Sequence, residues 1–304
     1  MYLLISILLV IGSPFVIIGI LYLFLLYQKQ KKLRSPFTQD FLKGPGQTLL
    51  FQLDAVNEDL MVYFISALTV PLSIYALHIS MSYFGGVPES RLRIGISACV
   101  GIGFFIFFVY RAIKLLGKRR AIRLGYEGKL AVGQELEKFR HDGFYVYHDF
   151  TADTFNIDHI VVGPKGVFAV ETKARSKPTT KNRVEDATVK YDGRMLYFPK
   201  CEDFKTIDQA EQQASWLSNW LGETIGEPIA ARAIVALPGW FVKRTSAEGI
   251  PVANPKQFAS LFEHIKPRPL SESMITRINH QLEQKCRDLE PKSRNHLENA
   301  SNTQ

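Results

Sequence analysis

The chain has 304 residues, a formal net charge of +8 and 46 % hydrophobic residues, a size that accommodates two modules. Its three cysteines, Cys99, Cys201 and Cys286, form no CxxC spacing. That argues against a disulfide framework or a zinc site and fits a reducing compartment. The mild positive balance suits contact with nucleic acid or an anionic membrane surface and selects neither.

Apolar residues are concentrated in the first third. Met1–Tyr27 carries no charged side chain and exceeds the ~20 residues a helix needs to cross a bilayer. It lacks the basic start of a cleaved signal peptide and ends in Tyr22-Leu23-Phe24-Leu25-Leu26-Tyr27 rather than in small residues, so an uncleaved span over 3–27 is expected. A second uncharged run, 60–84, contains Pro71, which neighbours can accommodate inside a span, and His78, read as interfacial. A third span is expected over 93–113, joined to the second by a short hairpin.

Basic residues set the orientation. Lys29, Lys31, Lys32 and Arg34 follow the first run, and Arg111, Lys114, Lys118, Arg119, Arg120 and Arg123 follow the third. Both sets are expected in the cytoplasm, which puts the N-terminus outside. Residues 1–117 thus read as a three-helix transmembrane region with the lipid bilayer as partner, 118–290 as a cytosolic domain, and 291–304 as a disordered polar tail.

In the soluble part, 125–140 has helical periodicity and stops at Gly143. Residues 144–150 read as a strand. The β-branched runs 157–162 and 167–173, joined by Gly163-Pro164-Lys165-Gly166, read as an antiparallel hairpin. Residues 174–190 read as a loop, 195–198 as a strand, and 208–221 as a helix burying Ala210, Ala214, Leu217 and Leu221. Strands at 230–237 and 250–253 and helices at 258–265 and 271–289 follow. This order suggests a mixed sheet flanked by helices, α/β or α+β.

Strand alternation points Glu171 and Lys173 the same way, and pairing about the 163–166 turn sets Asp158 opposite Glu171. Two carboxylates offer hard oxygen ligands suited to Mg²⁺. Such an ion polarises a phosphate and acidifies a bound water, and a lysine beside it stabilises developing charge. A cross-strand ion pair at a solvated strand end, worth roughly 0–1 kcal/mol, has the same spacing. Spacing alone leaves both readings open.

The segment from Asn156 through Ile157-Asp158-His159 to Val170-Glu171-Thr172-Lys173 resembles the core of the NERD (nuclease-related) domain, part of the PD-(D/E)xK nuclease superfamily. The resemblance implies a restriction-endonuclease-like α/β fold. It casts Asp158 as the motif aspartate and Glu171 and Lys173 as the ExK pair. It also implies cleavage of nucleic acid, DNA rather than RNA, with Mg²⁺ or Mn²⁺ as cofactor, in a bacterial inner-membrane protein.

Upstream, Gly125-Tyr126-Glu127-Gly128 looks like the family's glycine-rich lead into its first helix. Downstream, Gln209 and Gln213 look like polar positions near its site, Gln209 placing a ligand or phosphate. The likeness covers residues 123–222. One position departs: the family commonly has Glu after the second glycine, and this chain has Lys129. A first-helix carboxylate would then come from Glu127, taken as a third metal ligand, or from Glu135. Without one the domain binds and does not cut.

Lys173, Arg175, Lys177, Lys181 and Arg183 either grip phosphates or form a solvated loop. His159 alternates away from Asp158, and Trp216 and Trp220 read as packing residues. The expected function is a membrane-anchored, cytosol-facing, metal-dependent nuclease. The alternatives are a non-catalytic nucleic-acid-binding module and a membrane scaffold.

Overall fold

A computed structural model describes residues 40–86, 88–178 and 187–289, with Ile20 and Leu23. The expected first span, the basic stretch after it, Lys181, Arg183 and the tail at 291–304 lie outside the described residues. The chain divides into two units, one built on residues 53–120 and the other on residues 39–52 with 121–290.

A short strand, β1 (Phe41–Leu42), precedes two long helices, α1 (Gln47–Tyr83) and α2 (Arg91–Glu137). Both are long and apolar enough to cross a membrane. Leu68, Leu72, Ile102 and Ile106 stay exposed along them, a surface that water disfavours and that suggests association with a membrane. The described residues thus show two such helices, over the second and third expected runs; the first run lies outside them. Within this unit His78 lies 3.1 Å from Ser97, and Arg119 donates to Asn57 at 2.7 Å. The helix expected to begin near residue 125 is the end of α2. No proline interrupts 91–137, and the seven glycines there are not enough to break the helix.

After α2 a 3₁₀ turn, Lys138–Asp142, ends at Gly143, whose φ of 80° places it in the left-handed region that closes helices. There follow β2 (Tyr145–Thr151), β3 (Asn156–Gly163), β4 (Gly166–Thr172), β5 (Thr188–Tyr191), β6 (Leu196–Phe198) and β7 (Cys201–Asp203). Next come α3 (Lys205–Ile225), β8 (Ala231–Ala236), β9 (Phe241–Arg244) and β10 (Val252–Ala253). The elements end with α4 (Phe258–His264), α5 (Glu272–Cys286) and β11 (Arg287–Leu289).

The central sheet has the order β10-β8-β4-β3-β2. Its β10, β8 and β4 are parallel, and β4, β3 and β2 are antiparallel. A second sheet runs β7-β6-β5-β9. The mixed α/β sheet expected from the sequence is therefore what forms. All of β4 is buried, as a central strand covered on both faces must be. Ala210, Ala214, Leu217 and Leu221 of α3, with Ile278 and Leu282 of α5, belong to one core cluster. Val132 and Leu136 of α2, with Phe258 and Phe262 of α4, belong to the other.

Two local expectations are corrected. The stretch read as loop to residue 190 contains β5, which pairs parallel with β9. The helix expected to reach residue 289 stops at Cys286, and 287–289 turn into a strand against β1. In both cases a partner distant in the chain overrides the local pattern.

Candidate functional site

Three acids line up across three adjacent strands. The β2/β3 register pairs His148 with His159 and Phe150 with Ile157, which sets Asp149 opposite Asp158. The β3/β4 register pairs His159 with Val170, which sets Asp158 opposite Glu171. The hairpin reading thus places Asp158 and Glu171 correctly. Asp149 is a third member that it missed. All three are buried, Asp149 completely, and like charges opposite one another destabilise a sheet.

The compensation comes from α2. Lys129 Nζ lies 2.7 Å from Asp158 Oδ1 and 3.4 Å from Asp149 Oδ1, and its side chain is only 14 % exposed. Gly128 makes the approach possible: a Cβ there would sit 2.5 Å from that of Ala174, so only glycine lets the helix come this near. Burial pulls the Lys129 pKa down, but its pairing with Asp158 and Asp149 outweighs that, and the ammonium is held above its usual value.

The remaining oxygens are also occupied. Asp158 Oδ2 accepts from the Thr172 N–H at 2.9 Å. Asp149 Oδ2 accepts from the Thr48 N–H at 2.5 Å, satisfying one of the free donors at the start of α1. Asp149 itself has a φ of 51°, sparsely populated for a non-glycine residue. Glu171 accepts from Gln209 at 3.0 Å and from Gln213 at 2.8 Å. Both glutamines are where the resemblance expects polar groups. Burial, and then the neighbouring Asp158 charge, push the Glu171 pKa up to about 8. Asp158 is raised too, chiefly by burial. Glu171 is the member that keeps a proton, because its partners are neutral amides while Asp158 faces an ammonium.

Lys173 stands at the edge of this group. β4 ends at Thr172, and the Lys173 ammonium is 3.9 Å from Asp203, which also takes Arg175 at 2.5 Å. Glu127 is not brought to the site. Two residues along a helix turn a side chain by about 200°, so with Lys129 facing the acids Glu127 faces outward, half exposed and paired with Arg123 at 2.8 Å. Glu135 pairs with Lys138. His159 lies on the opposite face, as expected, 2.8 Å from His148. Trp216 and Trp220 stack on each other and meet the Phe150 ring at steep angles.

Just past the end of β4 is a cleft of about 260 Å³, lined by Ala174, Arg175, Phe198, Lys200 and Trp240 among others but by none of the three acids. The Arg175 guanidinium lies 4.8 Å from the Phe198 ring centre, and Lys177 lies 5.9 Å from that of Trp240.

The resemblance implies a divalent cation, and the donor set does not fit one. Of the three carboxylates expected to bind it, Asp158 and Glu171 have their oxygens taken by protein donors, an ammonium already sits against Asp158, and Glu127 pairs with Arg123 instead. Among the described residues no group of three His, Cys, Asp or Glu side chains is arranged to hold a metal ion.

Comparison with curated proteins and with solved structures gave no match. Residues 124–238 match the family model described as "Nuclease-related domain", NERD. That span contains Lys129, the three acids and both glutamines, and over it this chain carries a NERD domain.

Proposed function

We propose that the chain is a membrane-anchored nucleic-acid-binding protein whose nuclease-related domain grips a phosphodiester strand without hydrolysing it. The observation that carries this reading is the Lys129 ammonium, 2.7 Å from Asp158. It puts a fixed positive charge among the acids that metal-assisted hydrolysis needs free. The adjoining cleft, with Arg175, Lys177 and Lys200 at or near its walls, offers cations to phosphates, which makes affinity fall with salt.

The apolar helices α1 and α2 support attachment to a membrane. The basic residues from Arg111 to Arg123 support a cytoplasmic position for the domain at a bacterial cell membrane. A metal-dependent nuclease is the second reading. What favours it is the cross-strand placement of Asp158 and Glu171, with Lys173 two residues on.

The test uses the full-length protein in detergent with single- and double-stranded DNA and RNA, in Mg²⁺, in Mn²⁺ and in chelator. Binding without cleavage is expected, DNA above RNA, weakening as salt rises and weakening further in the Lys177→Ala/Lys200→Ala double variant. Metal-dependent cleavage abolished by Asp158→Ala would establish the nuclease instead. Absence of binding at low salt would reject both.

A further inference from the structure

We infer that Lys129 is the resident cation of the acidic row and that it closes the site to divalent metal ions. This rests on the reading of that row as the domain's functional site. A side chain reaching from α2 spans acids on two different strands, at 2.7 and 3.4 Å. The helix that carries it lies close to the end of the β4 strand, Gly128 against Ala174, and the Lys129 side chain is itself largely buried. A divalent ion placed among the same acids would meet the ammonium at contact distance, where repulsion between unit charges is strongest. No other acid of the same helix makes up the set, since Glu127, Glu135 and Glu137 pair with Arg123, Lys138 and Arg140.

Residue 129 therefore decides which cation the row holds. With an acid there, four carboxylates would face one another with no protein cation among them. That is the composition that hard divalent ions take up, with an affinity that rises with ligand charge. The lysine neutralises the row as an ion would, so the fold retains the acids.

The test uses Mn²⁺ alone, without nucleic acid, on the full-length protein in detergent. Binding is read from loss of the free-ion electron paramagnetic resonance signal, and thermal unfolding is followed in parallel. The wild type is expected to take up no Mn²⁺ at the site and to melt at the same temperature with and without it. Lys129→Glu is expected to melt lower than wild type without metal, to bind one Mn²⁺ per chain and to recover stability on binding. Adding Asp158→Ala should remove that uptake.

Should charge reversal prevent folding, Lys129→Ala decides. Its three uncompensated acids should bind Mn²⁺ about tenfold or more tightly than the wild type. Wild-type uptake of one Mn²⁺ that Asp158→Ala abolishes would overturn the inference. So would a folded Lys129→Ala variant as indifferent to Mn²⁺ as the wild type. Because the probe is the ion alone, failure of the wild type to bind nucleic acid would defeat the proposed function and leave this result standing.

Discussion

Two polar rows cross the central sheet side by side, one residue apart, and they meet burial in opposite ways. Asp149, Asp158 and Glu171 form one row, and His148 and His159, facing the other way, form the next. The acids import a cation from α2 and stay partly ionised. The histidines give up their charge. Burial holds both of their pKa values below the ordinary 6.5, that of His159 far below. They share one hydrogen bond of 2.8 Å between Nδ1 atoms, His148 Nε2 reaches Glu137 at 3.0 Å, and His159 Nε2 has no partner. A buried charge persists where the fold supplies a buried counter-charge, and disappears where the nearest one, Glu137, is itself partly exposed and does not offset burial.

Removing the imported cation should have the largest effect. Lys129→Met keeps the length of the side chain and deletes the ammonium, leaving Asp149 and Asp158 buried without compensation. The expected loss is about 3–5 kcal/mol at neutral pH, the usual result of deleting one partner of a buried pair. The folded lysine's pKa is raised above its ordinary 10.5. Its contribution is therefore complete below that pH and fades only above it. The variant's deficit should also shrink in acid, as Asp158, whose pKa burial already raises, takes up a proton. Denaturant unfolding of the full-length chain across pH measures both effects. A neutral-pH loss below about 1 kcal/mol, the range of an exposed pair, would mean that the row needs no cation, and the contrast between the rows would fail.

The histidine row makes a prediction of intermediate size. Their folded pKa values are depressed, so the unfolded chain binds protons near pH 6.5 while the folded chain refuses them. Stability contributed by the neutral pair is full above pH 6.5 and drains away as pH falls below it. Glu137, Arg140, Asp149 and Lys129 are the charged groups acting on the pair. His159→Leu alone strands His148 Nδ1 and should cost about 1–3 kcal/mol. Replacing both with leucine should cost less than the single change and should flatten the loss between pH 7 and pH 5. A double-mutant cycle gives the coupling. A double variant that retains the wild-type acid slope would place the slope in other groups.

Which parts of the two rows could be read from sequence follows from how local their causes are. The β-branched runs about Gly163-Pro164-Lys165-Gly166 fix the β3/β4 register, and with it the pairing of Asp158 with Glu171. Gln209 and Gln213, four apart on a helix, share a face by geometry alone, and both meet Glu171. Asp149 was hidden because its left-handed backbone and its partners, Thr48 and Lys129, are settled by contacts far away in the chain. A signal did exist. Pairing 145–151 with 156–162 about the intervening polar turn sets Asp149 opposite Asp158. Lys173 was legible as to strand face but not as to partner: alternation ceases to govern once β4 ends at Thr172, and Asp203 then takes part of its charge. Lys129 was visible as a departure from a pattern. Only the close approach allowed by Gly128 shows that it reaches the acids.

The smallest effect is expected at Glu171, where the two behaviours meet within one row. Burial and the Asp158 charge lift its pKa from 4.5 to about 8, so at pH 7 the folded chain holds a proton there that the unfolded chain has lost. Glu171→Gln copies this neutral form without having to take up a proton at pH 7, so it should be at least as stable as the wild type there, offset by no more than about 1 kcal/mol for one hydrogen bond rearranged. The sign of the pH dependence is the sharper test. Between pH 4.5 and 8 the folded wild type binds the extra proton, so its stability falls as pH rises, while the glutamine variant has no such term. The variant should therefore gain on the wild type from pH 5 to pH 8 and then run level. A variant that instead ran level with the wild type from pH 5 to pH 8 would show Glu171 ionised throughout that range. The single ammonium of Lys129 would then balance three negative charges rather than two, a deficit that leaves room for a further cation and reopens the site to metal.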